Sequence, residues 1–404
     1  MAPRRAVAAV GGGDATSTHD EADSDDSVPP VFNTTFSTHR VSPLYVGPGG
    51  LTTARLELLA HRLRDTLVGD VVRGIQVAVE ASDTPMGQVG TLRSVSIRWF
   101  QPSSFVMAGS AEGFLDGDDG GNQLPDVEQK GLSIELRHEN ASYRAILLPS
   151  FSAHSEVRPT PRWAMPQGNE AADAGHFVEL PLLLLRMPQA LKAVLGGWLA
   201  TTFDCRVSKL VLGTKTLVGV WESWIKTAGV SSKGPDFVFT LSFHAAPARV
   251  AGEDATAETE HGLRTLEVTV APTDLRRFLR AGDADGPLNG LDRAASASWA
   301  GDGRERRRLA GGNVDDGWAW RTLDEAPKHP FTEALARYLD RHLALNLFHP
   351  SVRVVQISCG AFVLAQSRLK LVKLGDVTAD LVRASWMFLT QLGARVRDDA
   401  LVKG

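Results

Sequence analysis

Hydrophobic alternation with period two is the feature that most constrains this chain. Ile75, Val77 and Val79 alternate with polar or small neighbours, and Val95, Ile97 and Trp99 do the same. In a strand, successive side chains point to opposite faces, so this pattern predicts strands with one apolar and one polar face. Sheets of that kind are largely antiparallel and carry their helices on one side. Leu132–His138 and Ser142–Pro149 read as a hairpin pair. Val207–Leu212, Asp236–Phe243, Leu263–Val270, Val352–Ser358 and Arg368–Lys373 read as further strands, and the apolar stretch Phe177–Leu185 opens the second half.

Between the strands the period changes to that of a helix. Leu56, Leu59, Ala60, Leu63 and Leu67 form one apolar stripe, with Thr52 as the expected N-cap and Gly69 as the expected stop. A second helix is expected from Gln189 to Thr202. A third is expected to be capped by Thr214, with Leu217, Val220, Trp221, Trp224, Ile225 and Ala228 on its buried side. Thr273–Arg280 reads as a short helix ended by Gly282. Pro330 suits the first turn of a helix lined by Phe331, Leu335, Tyr338, Leu339 and Leu343. A last helix is expected over Thr378–Leu392. The two tryptophans are read as core residues. The expected fold is therefore α+β, a curved and largely antiparallel sheet with helices packed on one face.

The 404 residues divide, on this reading, into two sequential α/β halves, 31–150 and 176–404, joined by a Pro-rich connection at 151–175. Residues 1–30 read as a disordered acidic tail. Residues 282–326, with nine acids and six arginines, read as a disordered insertion dispensable for the fold. Its basic cluster, Arg304 and Arg306–Arg308, is expected to be a solvated loop. Residues 1–30, Gly109–Glu128 and Ala251–Gly262 carry net charges of −4, −6 and −4 in a chain of net −4, which leaves +10 on the remainder. An acidic chain thus has a basic expected body, the kind of surface found near nucleic acid.

The chemistry-bearing motifs that enzymes need at fixed spacing are missing. There is no HExxH, GxSxG or GxxxxGK[ST], and no glycine-rich stretch follows a strand and opens a helix with the dinucleotide-binding spacing. The eleven histidines are scattered, so neither a metal nor a cofactor is expected. Two cysteines, Cys205 and Cys359, cannot build a disulfide framework, and they read as core thiols of a reducing compartment. The longest apolar run, Leu180–Leu185, is far shorter than a spanning helix requires. No secretory signal is expected at the N-terminus. The chain reads as a soluble intracellular scaffold rather than an enzyme, with a stand-alone nucleic-acid-binding protein as the alternative.

Four stretches sharpen this. They are Ser42-Pro43-Leu44-Tyr45, Leu180–Leu184, Trp198–Cys205 continuing to Ser208 and Leu210, and the C-terminal helix–strand–strand–helix series. In this order they resemble the centromere protein L (CENP-L) family of inner-kinetochore subunits in its fungal form. The resemblance implies a non-enzymatic nuclear protein at the centromere, paired with a CENP-N-like subunit in a heterodimer. It also implies contact with other inner-kinetochore subunits and proximity to the CENP-A nucleosome and its DNA; because some relatives self-associate through the pairing surface, homodimer and heterodimer both stay open in isolation. Pairing through the C-terminal region is expected to use a sheet edge formed by strands 352–358 and 368–373. The partner-binding residues expected there are Val352, Val354, Leu369 and Leu371. Arg353, Arg368, Lys370 and Lys373 are expected to add positive charge near DNA.

Overall fold

The computed structural model describes residues 31–72, 89–100, 130–150, 176–230, 234–244, 263–285, 302–311, 315–321, 329–373 and 379–402. The expected tail at 1–30, the strand at 75–79, the acidic loops at 109–128 and 251–262 and the connection at 151–175 lie outside these residues.

One long sheet dominates. Strands β1 (Thr35–Val41), β3 (Leu92–Phe100), β4 (Gly131–His138), β5 (Ser142–Leu148), β7 (Leu182–Arg186), β8 (Val207–Lys209), β9 (Phe237–Phe243), β10 (Thr265–Val270), β11 (Val352–Ser358), β12 (Phe362–Ala365) and β13 (Arg368–Leu371) belong to it. Their order is β10-β9-β11-β12-β13-β1-β7-β5-β4-β3, with β8 also paired to β1. Every strand pair in it is antiparallel. A separate ribbon joins β2 (Leu44–Tyr45) to β6 (Phe177–Val178). The helices are α1 (Thr53–Val72), α2 (Gln189–Phe203), α3 (Thr214–Ala228), α4 (Pro272–Asp285), α5 (Gly303–Leu309), α6 (Pro330–Leu343) and α7 (Ala379–Val402). The fold is α+β around a large antiparallel sheet.

The helices do not share one face, which corrects the expectation. Two apolar cores lie on opposite sides of the sheet. In β5 and β7, Ala145, Leu147, Leu183 and Leu185 face a core built with α1 and α2. The alternate residues Ile146, Leu148, Leu182 and Leu184 face a core built with α3, α6 and α7. All eight are at most 2% exposed. The Leu182–Leu185 run is uninterrupted because its strand is covered on both sides, as strands between two helical layers are. Away from this overlap each end of the sheet keeps one polar face. On β4, Glu135 accepts from Arg144 at 2.9 Å and pairs with Arg137 at 3.2 Å. On the open face of β9 and β10, Thr240 and Ser242 stand opposite Glu267 and Thr265.

Two glycine readings also change. Gly69 and Gly282 lie inside α1 and α4 rather than at their ends. Gly282 is buried where α4 meets α6, and a Cβ there would stand 1.9 Å from the carbonyl oxygen of Pro330. Its role is close helix approach, not termination. Thr52 does cap α1, accepting from the Arg55 N–H at 3.4 Å. Thr214 does not cap α3. It is the first helical residue, and its hydroxyl accepts from the N–H of Val354 at 3.0 Å.

The cap of α3 comes from the expected insertion. The Asp315 carboxylate accepts from Gly213 N at 2.7 Å and from Thr216 N at 3.1 Å. Trp318 nearby is fully buried, against Phe348 with ring centroids 4.9 Å apart. Arg321 pairs with buried Glu333 at 3.2 Å. The described part of 282–326 is thus a strap fastened into the core. An Asp-rich, Gly-rich composition conceals this, because one tryptophan and one capping carboxylate carry the attachment.

Candidate interaction surfaces

The expected sheet edge is not an edge. β11 pairs with β9 and β12, and β13 pairs with β12 and β1, so neither strand has a free backbone side. β12 escaped the sequence reading, and so did the place of β1 in the sheet. β12 completes a meander between the two strands, and β1 arrives from the far end of the chain to cover β13. Val352, Val354, Leu369 and Leu371 are at most 2% exposed and belong to the core shared with α3 and α6.

The four expected cations separate. Arg353 is drawn inward: its Nη2 donates to Ala310 O at 2.8 Å, and Asp316 lies 4.0 Å from its Nη1. Arg368 and Lys370 project together from the opposite side of β13 to Leu369 and Leu371. The N–H of exposed Lys373 donates to the Asn33 side chain at 3.0 Å.

Arg368 borders a groove of about 770 Å3 between the sheet and α2, which also presents Ser37, His39, Lys192, Arg206 and Lys209. Among the described residues no carboxylate lines it, although Asp204 directly precedes the lining residue Cys205. Burial pushes Lys192 below the usual lysine range, and the charges of Arg368 and Lys209 push it further. Burial likewise lowers His39, reinforced by Lys192 and Lys209 against a raising backbone hydrogen bond at Ser37.

A second surface lies at the far end of the sheet. Within the described residues β10 pairs only with β9, so its outer backbone side is unpaired. Beside it, α4 and α6 frame a groove of about 590 Å3 lined by Val268, Val270, Phe278, Tyr338, Arg337 and Arg341, among others. Phe278 packs edge-on to Tyr338 at 5.5 Å, and Tyr338 lies 4.4 Å from the His342 ring. Leu263, Tyr338 and Leu343 are 59%, 49% and 60% exposed, high values for large apolar groups. An unpaired strand next to an apolar groove offers both halves of strand addition: main-chain hydrogen bonds and pockets for alternate side chains.

The remaining singled-out residues are structural. Ser42 and Arg206 exchange two hydrogen bonds, Ser42 N to Arg206 O at 3.0 Å and Arg206 N to Ser42 Oγ at 2.8 Å. These bonds tie the Ser42–Tyr45 stretch to the end of the Trp198–Cys205 stretch. Asp204 closes α2 in the left-handed conformation, φ 46°, which Asp tolerates better than most residues. Cys205 is buried, its Sγ donates to Leu199 O at 3.4 Å, and burial with Asp204 nearby raises its pKa to about 11. Such a thiol is not a nucleophile at neutral pH. Among the described residues no three His, Cys, Asp or Glu side chains converge to hold a metal ion. None of the described helices is long and apolar enough to cross a membrane.

The family model described as CENP-L: Centromere protein L matches residues 30–397. No curated protein matches the sequence.

Proposed function

Because this chain belongs to the centromere protein L family, whose members are structural proteins of the kinetochore, we propose that it is an inner-kinetochore scaffold which pairs with a CENP-N-like subunit. On this reading it works in the nucleus, beside other inner-kinetochore subunits, and helps link CENP-A chromatin to the kinetochore for chromosome segregation.

The observation that carries the pairing is the unpaired outer side of β10 next to the α4–α6 groove. A partner strand laid along Thr265–Val270 would satisfy the open N–H and C=O groups and continue the sheet. Its alternate side chains would reach Phe278 and Tyr338, with Arg337 and Arg341 at the rim. Buried aromatic and arginine side chains are the residue types that dominate interface energetics. Pairing therefore keeps to the C-terminal portion of the chain but moves from the interior strands β11 and β13 to β10.

Co-expression with a CENP-N-like protein tests this. The wild-type chain is expected to co-elute with the partner as a 1:1 complex, whereas a Tyr338→Ala/Arg341→Glu variant is expected to elute alone with an unchanged melting temperature. Tyr338 is half exposed, so the fold does not depend on it. Failure of the wild-type chains to co-elute would overturn the pairing. Undiminished pairing by the variant would remove β10 and its groove as the site.

A further inference from the structure

We propose that the open face of β4, β5 and β7 binds a phosphorylated peptide segment of another protein through a cluster of arginines. Strand register assembles the cluster. Arg144 stands directly opposite Glu135 on one side and Arg186 on the other. Arg137 lies two residues beyond Glu135 on the same face of β4. Arg98, on β3, approaches Glu135 from the far side at 3.9 Å. Four arginines around one glutamate leave a net charge of +3. Strands about 4.8 Å apart and a two-residue step of about 7 Å place Arg137, Arg144 and Arg186 within about 12 Å of one another at the backbone.

Three observations select the ligand. The first is an opposed pair of like charges. Arg144 and Arg186 are direct cross-strand neighbours, an arrangement that destabilises a sheet and that an anion between them relieves. Glu135 is already shared. It accepts from Arg144 at 2.9 Å and from the Ser142 hydroxyl at 3.1 Å, and it pairs with Arg137 at 3.2 Å. Glu139, the next carboxylate along the hairpin, accepts from the Thr91 hydroxyl at 2.7 Å instead. Arg186 is exposed and stands beside Arg144, one strand removed from Glu135. The second is preorganisation. The Glu135 and Arg144 side chains are only 9% and 18% exposed, so the glutamate holds its guanidiniums in place before a ligand arrives, and little ordering entropy is lost on binding. Fixed guanidinium forks match the oxygens of a phosphoryl group. The third is shape and lining. The patch is compact and has a carboxylate at its centre, which suits one phosphoryl group beside Arg186 and repels a long phosphate row. Trp99 and Tyr143 pack on the opposite core, and Phe100 is buried. Among the described residues of these strands no ring is therefore open on this face for a base to stack on. A segment with one phosphoserine or phosphothreonine, at about −2 near neutral pH, fits the patch by charge. Acidic residues flanking it would reach Arg98 and Arg137.

This face lies apart from β10, with β1, β13, β12, β11 and β9 between β7 and β10, so it is tested on the full chain alone. Fluorescence anisotropy is measured with a fluorescein-labelled peptide carrying one phosphoserine between glutamates, and with its unphosphorylated form. The phosphopeptide is expected to bind about tenfold more tightly than the unphosphorylated peptide. Arg186→Gln is expected to weaken phosphopeptide binding about tenfold, and Arg137→Gln/Arg186→Gln about a hundredfold. Lys209→Gln and Arg341→Gln, in the two grooves, are expected to keep wild-type affinity, and all variants are expected to melt with the wild type. Equal affinity for the two peptides, or an Arg186→Gln variant that binds like the wild type, would overturn the proposal. A nucleic-acid duplex that displaces the phosphopeptide at equal phosphate concentration would overturn its peptide form. Binding that emerges only when the six acids of Gly109–Glu128 are neutralised would give the patch to the chain's own acidic loop, and would overturn it as well. Since no partner subunit is present, loss of pairing through β10 leaves this result untouched.

Discussion

At the scale of single residues, the structure assigns physical work to positions that stood out in the sequence for other reasons. The Ser42–Tyr45 and Trp198–Cys205 stretches marked a resemblance, and the bonds between Ser42 and Arg206 show why they belong together. No periodicity could have shown it, because the two residues are 164 apart. His329, by contrast, carried no signal at all. Burial pushes its pKa down to about 4, helped by Arg321, Arg395 and Lys226 around it. A histidine held neutral in the fold, with an unfolded value near 6.5, contributes stability that is fully present above 6.5. That contribution is lost as pH falls from 6.5 towards 4, because the unfolded chain takes up the proton first. Denaturant melts are therefore expected to show about 1–2 kcal/mol less stability at pH 5 than at pH 7.5, with the difference shrinking in His329→Gln. Equal stability of the wild type at the two pH values would contradict the buried-neutral assignment.

At the scale of elements, the strands and helices with strong periodicity were legible, and their boundaries and partners were less so. α1 buries the whole stripe expected of it, and α3 and α6 bury most of theirs, but Ala228, Tyr338 and Leu343 are exposed. Gly69 and Gly282 misled because a glycine permits a helix end without requiring one, and at position 282 it serves close packing instead. The strap was invisible because its composition is that of a solvated loop. Its attachment rests on Asp315, which caps α3, and on Trp318, which fills the core. Trp318→Ala is accordingly expected to cost about 3–5 kcal/mol in chemical denaturation, whereas Arg304→Ala, on the exposed side of α5, should change little. A near-neutral Trp318→Ala would mean that the strap is as dispensable as its composition implies.

At the scale of the whole molecule, class was legible and topology was not. Alternation identifies an antiparallel sheet whatever its order. Order depends on long-range pairing, here β1 meeting β13 across more than 300 residues of chain, and local pattern carries no record of that. The same gap explains why the expected sheet edge lies in the interior. Two consecutive apolar strands near the C-terminus look like an edge until β1 covers one side and β9 the other. It also explains the helices on both faces. α1 and α2 cover one face, α3, α6 and α7 cover the other, and the two layers overlap at β5 and β7 with opposite faces buried. Among the described residues the sheet ends at β10 and at β3. β10 ends it with unpaired backbone beside an aromatic and arginine-rimmed groove, and β13 offers cations on a polar face.

The central claim is that this sheet continues into a partner through β10. Hydrogen exchange on the chain, alone and in complex with a CENP-N-like subunit, tests it most directly, since edge amides exchange freely until a new strand accepts from them. Protection gained on complex formation at Thr265–Val270, and along the α4 and α6 faces beside it, is the predicted result. A stable complex that leaves Thr265–Val270 as exchangeable as in the free chain would contradict it.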